Sequence, residues 1–154
     1  MPSLGFALLD QHVVSGRADD VAVHTSDTTL TFARLLERSA AVAGGLKALG
    51  LQPGDDLSLG LPHGTELVTV VCACLRLGVL PGTQGRIGVR EVDGVPTVTI
   101  EGEDPVELDL LRRAGASDPA VALPHDAEGF RAAAQERHPQ IVEPLLLGRT
   151  VAFA

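Results

Sequence analysis

The sequence predicts an α/β fold: a short parallel sheet flanked by helices, plus a β-hairpin in the second half. Three observations carry this expectation. Between Val21 and Pro81, alternating apolar runs of strand length take turns with longer segments whose apolar residues recur every three or four positions. The resulting order of strand, helix, strand, helix, strand suits a right-handed parallel unit. Further on, Asp93-Gly94 separates two β-rich runs, a strong two-residue hairpin signal.

Each element has a local reason. Val21-Ala22-Val23-His24 reads as a strand, Ser26-Asp27-Thr28 as a turn and Thr29-Leu30-Thr31 as the returning strand. A helix is expected over 32–49, with Phe32, Leu35, Leu36, Val42, Ala43, Leu46 and Leu49 on its apolar stripe, Thr31 as N-cap, and Lys47 and Gly50 at its end. Gly44-Gly45 inside it costs about 1 kcal/mol each in helix propensity, which suggests close approach to a neighbouring backbone. Pro53-Gly54-Asp55 turns the chain into a strand over 57–61. A second helix over 65–77, closed by Gly78, is apolar on nearly every face and so must be buried on nearly every face. Val79-Leu80-Pro81 is the next strand. In the second half, strands are expected over 86–92 and 95–101. Asp104-Pro105-Val106-Glu107 has the form of a capping box and predicts a helix over 105–114. A strand is expected over 120–123, a helix from its cap at Asp126 to about Arg137, a stop at Pro139, and a last strand over 150–153. The expected organisation is a unit over 1–82, with 83–154 completing the same single domain.

Composition excludes several classes. Hydrophobic residues make up 45% of the 154, enough for a packed core, while aromatics are only 3%, with no Trp or Tyr. A net charge of −8 repels a phosphate backbone, and there are few rings on which bases can stack, so nucleic acid is not an expected partner. No apolar run reaches the ~18 residues of a membrane span. The first ten residues lack the basic region of a signal peptide, so a cytoplasmic setting is expected. Cys72 and Cys74 lie two apart on a helix and point in different directions, which predicts free, buried thiols.

Leu30-Thr31-Phe32-Ala33-Arg34-Leu35 resembles the L-T-Y-x-E-L signature of AMP-forming ligases, the superfamily of acyl-CoA synthetases, adenylation domains and luciferases. The stretch from Ser39 to Gly82 continues the likeness with a G-x-x-P-G-D-like turn at Gly50 to Asp55 and an A-C-L-x-x-G-like helix end at Ala73 to Gly78. The resemblance covers roughly 9–82. Phe32 and Arg34 depart from the signature's Tyr and Glu. Gly85 to Ile100, "GRIGVREVDGVPTVTI", is similar to a later G-E-I-x-V-R segment of the family, which implies an internal deletion. The resemblance implies descent from a ligase lacking its adenine-binding motif, its ribose-holding acid and its catalytic lysine: a truncated pseudoenzyme acting as a binding, assembly or regulatory subunit, or one piece of a split ligase. The alternative is a repurposed small-molecule-binding protein or small enzyme with a pocket at the strand ends near His63, Pro81 and His125. The isolated chain is expected to need no cofactor, with ATP and Mg²⁺ entering only if a partner completes the site.

The candidate functional residues are few. Thr25-Ser26-Asp27-Thr28-Thr29 looks like a phosphate-gripping loop, but Asp27 stands where such loops need glycine and no lysine follows until Lys47, so turn chemistry is expected instead. His63 and His125 are the candidate catalytic residues, because each precedes a helix in a loop of the kind that opens toward a ligand crevice. No metal site is expected, since none of the five histidines is spaced as a ligand pair. The all-apolar second helix needs cover from the second half, from a second copy or from a partner chain, and on that ground a homo-oligomer or a partner ligase is expected.

Overall fold

The computed structural model describes residues 3–82, 84–117 and 126–153. Two π-helical turns, Phe6–Asp10 and Val13–Arg17, precede the first strand. Then come β1 (Val21–His24), β2 (Thr29–Thr31), α1 (Phe32–Ala48), β3 (Asp56–Gly60), α2 (Thr65–Leu77), β4 (Leu80–Gly82), β5 (Ile87–Val92), β6 (Val95–Ile100), β7 (Val106–Glu107), α3 (Leu108–Gly115), α4 (Ala127–Arg137), α5 (Pro139–Leu146) and β8 (Val151–Ala152). The fold is mixed α/β, as the sequence implies. The strand expected over 120–123 lies outside the described residues.

The local reasons hold in detail. The Thr31 side chain accepts from the Arg34 amide at the start of α1. Gly78 closes α2 at φ 74, in the left-handed region that favours glycine. Asp93 and Gly94 take φ 51 and 80, the pair of positive values a tight hairpin turn requires, so β5 and β6 pair from Ile87↔Ile100 to Val92↔Val95. The Asp126 carboxylate accepts from the Gly129 amide and caps α4.

Two expectations are corrected. The helix expected over 105–114 begins only at Leu108. Val106 and Glu107 instead pair with Val98 and Thr97, because the free edge of β6 satisfies their backbone groups before a helix can. Pro139 stops α4 but also opens α5 as its first residue, where a missing N–H costs nothing.

The strands divide into two sheets rather than one. The first has the order β2-β1-β8, with β8 parallel to β1 through Val23↔Val151. The second has the order β4-β3-β5-β6-β7, with β4 and β5 both parallel to β3 on its two sides. Only residues 83–86 join β4 to β5, so the chain crosses from one side of β3 to the other in four residues. Parallel strands are ordinarily joined by a dozen or more. The crossing is possible because Gly85 rests on the β3 backbone: a Cβ there would collide with the Asp56 carbonyl oxygen and sit 3.1 Å from the Ser58 nitrogen.

α2 is the wall between two cores. Leu67, Val68, Val71, Cys72 and Leu75 face a cluster built from Leu4, Leu8 and Leu9, from β1 and from Ile141, Val142 and Leu145 of α5. Val70, Ala73, Cys74 and Leu77 face a second cluster built from α1, β3, β5, β6 and α3. The all-apolar helix thus finds its cover within the chain. Of the three expected sources of cover, the chain itself suffices, and burial of α2 needs neither a second copy nor a partner chain.

Candidate functional site

The end of β3 leads through Leu61-Pro62-His63-Gly64 into α2, and this loop borders a cavity of about 300 Å³. Its opposite wall is the Thr25–Thr28 turn between β1 and β2, its rim is Glu91, Gly94 and Pro96 of the β5–β6 hairpin, and Phe153 closes one side. The two features singled out separately in the sequence, His63 and the Thr-Ser-Asp-Thr turn, therefore face one space. The His63 ring is exposed and lies 5.4 Å from the Phe153 ring at 41°. His125, the second candidate, lies outside the described residues.

The turn satisfies itself. Thr25 Oγ1 lies 3.0 Å from both Asp27 Oδ1 and the Thr28 carbonyl, and accepts from the Thr28 amide at 3.0 Å. Its hydroxyl is thus engaged within the turn. Glu66, in the first turn of α2, is held by Arg38 of α1 at 2.6 Å, half-buried, which fixes one wall of the cavity. Asp27, Glu66 and Glu91 bring three carboxylates to the lining and no Lys or Arg stands among the lining residues, so the space disfavours a phosphate chain. Lys47, the one lysine, is exposed at the end of α1.

Pro81, grouped with His63 in the sequence, belongs elsewhere. It pairs with Leu57 inside the sheet, and its carbonyl accepts from Arg137 Nη1 at 3.0 Å. A separate cavity of about 320 Å³ lies there, between Asp56, Leu59, Gly82, Gln84, Arg137 and His138. Arg137 also pairs with Asp56 at 2.9 Å and so clamps α4 to the sheet. The Nε2 atom of His138 is buried without a partner; burial first, and then the neighbouring Arg137, hold its pKa below the ordinary 6.5. One expected pocket at the strand ends is thus two, because α4 folds over β4 while the hairpin covers the end of β3.

Cys72 and Cys74 are buried free thiols. Burial pushes Cys72 up to about 12, opposed only in part by the Ser39 hydroxyl and Arg76, and pushes Cys74 upward as well, with Cys72 adding to the shift. Neither is a nucleophile at neutral pH. No group of His, Cys, Asp and Glu among the described residues is arranged to hold a metal ion, and no helix among them is long and apolar enough to cross a membrane. The sequence reading missed the pair Arg76–Asp10, 2.7 Å apart with the guanidinium side chain only 10% exposed, which ties α2 to the first π-helical turn. The one signal for it was an arginine at the end of an otherwise apolar helix.

The AMP-binding enzyme family matches residues 10–83. Residues 10–83 of this chain belong to that family. Over 63 residues the chain is 46% identical to a salicylyl-CoA synthase / salicylate adenylyltransferase from a Streptomyces species, covering 41% of this chain and 11% of that protein. It is 34% identical over 136 residues to an acetyl-coenzyme A synthetase of Mycobacterium bovis, covering 79% of this chain and 21% of the synthetase. An artificially fused adenylation–PCP di-domain from Klebsiella oxytoca superposes on all of this chain and 38% of its own, with a TM-score of 0.73 at 15% identity, a likeness of fold. The chain thus spans about a fifth or less of the length of these curated relatives. Within the AMP-binding segment, the Thr-Ser-Asp-Thr turn is the β1–β2 hairpin turn just before Leu30-Thr31-Phe32, as its chemistry indicates.

Proposed function

We propose that this chain is a truncated, non-catalytic relative of the AMP-forming ligases, which acts as a binding, assembly or regulatory subunit or as one piece of a split ligase. The observation that carries this reading is the junction after residue 83. The match to the AMP-binding enzyme model ends there, and by Ile87 the chain is already back in the same sheet, beside β3. The three residues between them, 84–86, leave no room for a nucleotide-binding element at that point. The carboxylate-lined cavity beside His63 and the self-closed Thr25–Thr28 turn argue in the same direction. ATP and Mg²⁺ would then enter only with a partner, and such a partner, or a second copy, would meet surfaces other than α2. Two buried, reduced thiols suit a cytoplasmic setting.

ATP–pyrophosphate exchange tests this, measured on the purified chain with and without proteins recovered with it from its source. No exchange by the chain alone is expected; exchange by the chain alone overturns the reading. A second reading, a small-molecule-binding protein or small enzyme, is favoured by the cavity at His63, whose exposed ring lies against Phe153. A ligand that raises the melting temperature of the chain, but not that of His63→Ala, supports it.

A further inference from the structure

Helices α1, α2 and α3 cover one face of the second sheet; on the opposite face α4 reaches only the β4 edge, where Arg137 lies over Gly82 and pairs with Asp56, and the rest of that face has an uncommon composition. Registers place Ser58, Gly88 and Thr99 side by side across three strands, and Gly60, Arg90 and Thr97 in the next outward row. Three small residues in one row leave bare backbone at the centre. Along β5 and just before it, residues 86, 88 and 90 alternate with the core residues Ile87 and Val89, so Arg86 and Arg90 stand on the same side as Gly88, one on each side of it. Their Cα atoms lie about 13 Å apart, four residues along an extended chain. The two arginines border a cavity of about 360 Å³ whose other residues include Ser58, Gly85, Thr99 and Glu101.

We propose that this groove binds a small anion, a carboxylate or phosphate seated over Gly88 between the two guanidinium groups. Arg86 and Arg90 are exposed residues, and neither is in an ion pair among the described residues. In a chain with net charge −8 and only 12 basic residues, two such groups flanking one depression are a local exception to the surrounding field. Guanidinium presents a planar fork of donors that matches carboxylate and phosphate oxygens. The glycine floor allows an anion close to the backbone, and the volume is that of a small-molecule site. Thr99 Oγ1 is at 3.4 Å from the Gly88 carbonyl, a long bond that a ligand oxygen readily replaces. Glu101 at the rim opposes binding and favours a compact anion over a long polyanion. This inference rests on neither function proposed above.

The test is an NMR titration of the chain with inorganic phosphate and with citrate at constant ionic strength. Saturable shifts are expected at the amides of Ser58, Gly88 and Thr99. Arg86→Gln and Arg90→Gln are each expected to weaken the affinity about tenfold, while Arg34→Gln, on the exposed face of α1, leaves it unchanged. Gly88→Ala keeps both charges and adds a methyl 3.3 Å from Thr99 Oγ1 and 3.4 Å from Ser58 Cβ, so the strand adjusts slightly and the floor is filled. It is expected to remain folded and to lose the saturable shifts. Shifts that never saturate, or that weaken equally in Arg34→Gln, or that persist in Gly88→Ala, overturn the proposal.

Discussion

Gly115→Ala is expected to destabilise the fold, against the direction of helix propensity. Gly115 ends α3 where α3 lies against α1. A Cβ on it would run into the carbonyl oxygen of Ala41 and the backbone nitrogen of Gly45. Gly45 faces the same contact from the other side: its Cβ would stand 2.6 Å from Leu111 Cγ and 2.7 Å from the Leu111 carbonyl oxygen. Propensity alone would make an alanine in a helix about 1 kcal/mol better than glycine. Overpacking ordinarily costs about 1–3 kcal/mol, and here the obstacles are backbone atoms that no side-chain rotation can move aside. The two helices must separate, which loosens Leu108 and Leu111 from the core that they share with Val42 and Leu46. The net loss is therefore expected near the upper end, about 2–3 kcal/mol, or a fall in melting temperature of roughly 5–10 °C for a chain of this size. Urea unfolding followed by circular dichroism reads it as a lower midpoint at unchanged slope. Gly45→Ala is expected to fall in the same direction but by less, since part of its obstacle is the movable Leu111 side chain. A neutral or more stable Gly115→Ala refutes the close approach of α1 and α3.

The remaining expectations follow from the same structure. Asp10→Ala leaves the Arg76 guanidinium in a mostly buried place without that carboxylate, and about 2 kcal/mol of stability is expected to go, measured by denaturant unfolding. Gly85→Ala should likewise destabilise the protein, because its methyl would strike the Asp56 carbonyl at the crossing of β3; an unchanged midpoint would contradict that crossing. His138 has a depressed pKa in the folded state, so the unfolded chain takes up the proton first: stability is unaffected above about 6.5 and declines as pH falls below it. His138→Gln is expected to flatten that part of the stability–pH curve, and an identical slope in both proteins would show that His138 is not its source. Finally, a thiol reagent at pH 8 should leave Cys72 and Cys74 untouched in the native protein and label both after unfolding, given their burial and the pKa of about 12 at Cys72.

Much of the candidate site was legible residue by residue. His63 was visible as a loop histidine before a helix, and Asp27 marked the Thr-Ser-Asp-Thr run as a turn. Their meeting across one cavity was not visible. It depends on the β1–β2 hairpin lying beside the end of β3, although the two belong to different sheets, and on Phe153 arriving from the far end of the chain. The grouping of His63 with Pro81 failed for the same reason, since adjacency along a strand–helix–strand unit does not say which neighbour will cover each strand end. Leu4, Leu8 and Leu9 belong to a helical stretch over 4–17 whose two π-helical turns depart from the 3.6-residue period by which a sequence shows a helix.

By itself the sequence determined the elements whose causes are local. Thr31, Gly78, the Asp93-Gly94 turn and Asp126 each satisfy or relieve backbone within a few residues, so their roles were readable in place. The all-apolar pattern of α2 likewise determined that it would be buried on every side, and Gly44-Gly45 signalled a close neighbour. Only the tertiary structure decided what those neighbours are. It supplied two cores on the two sides of α2, the backbone of Gly115 against α1, and the free edge of β6 that turned Val106-Glu107 from helix into strand. Those outcomes are set by competition among distant segments for the same surface and the same unpaired backbone groups, and that competition leaves no trace in the spacing of residues along the chain.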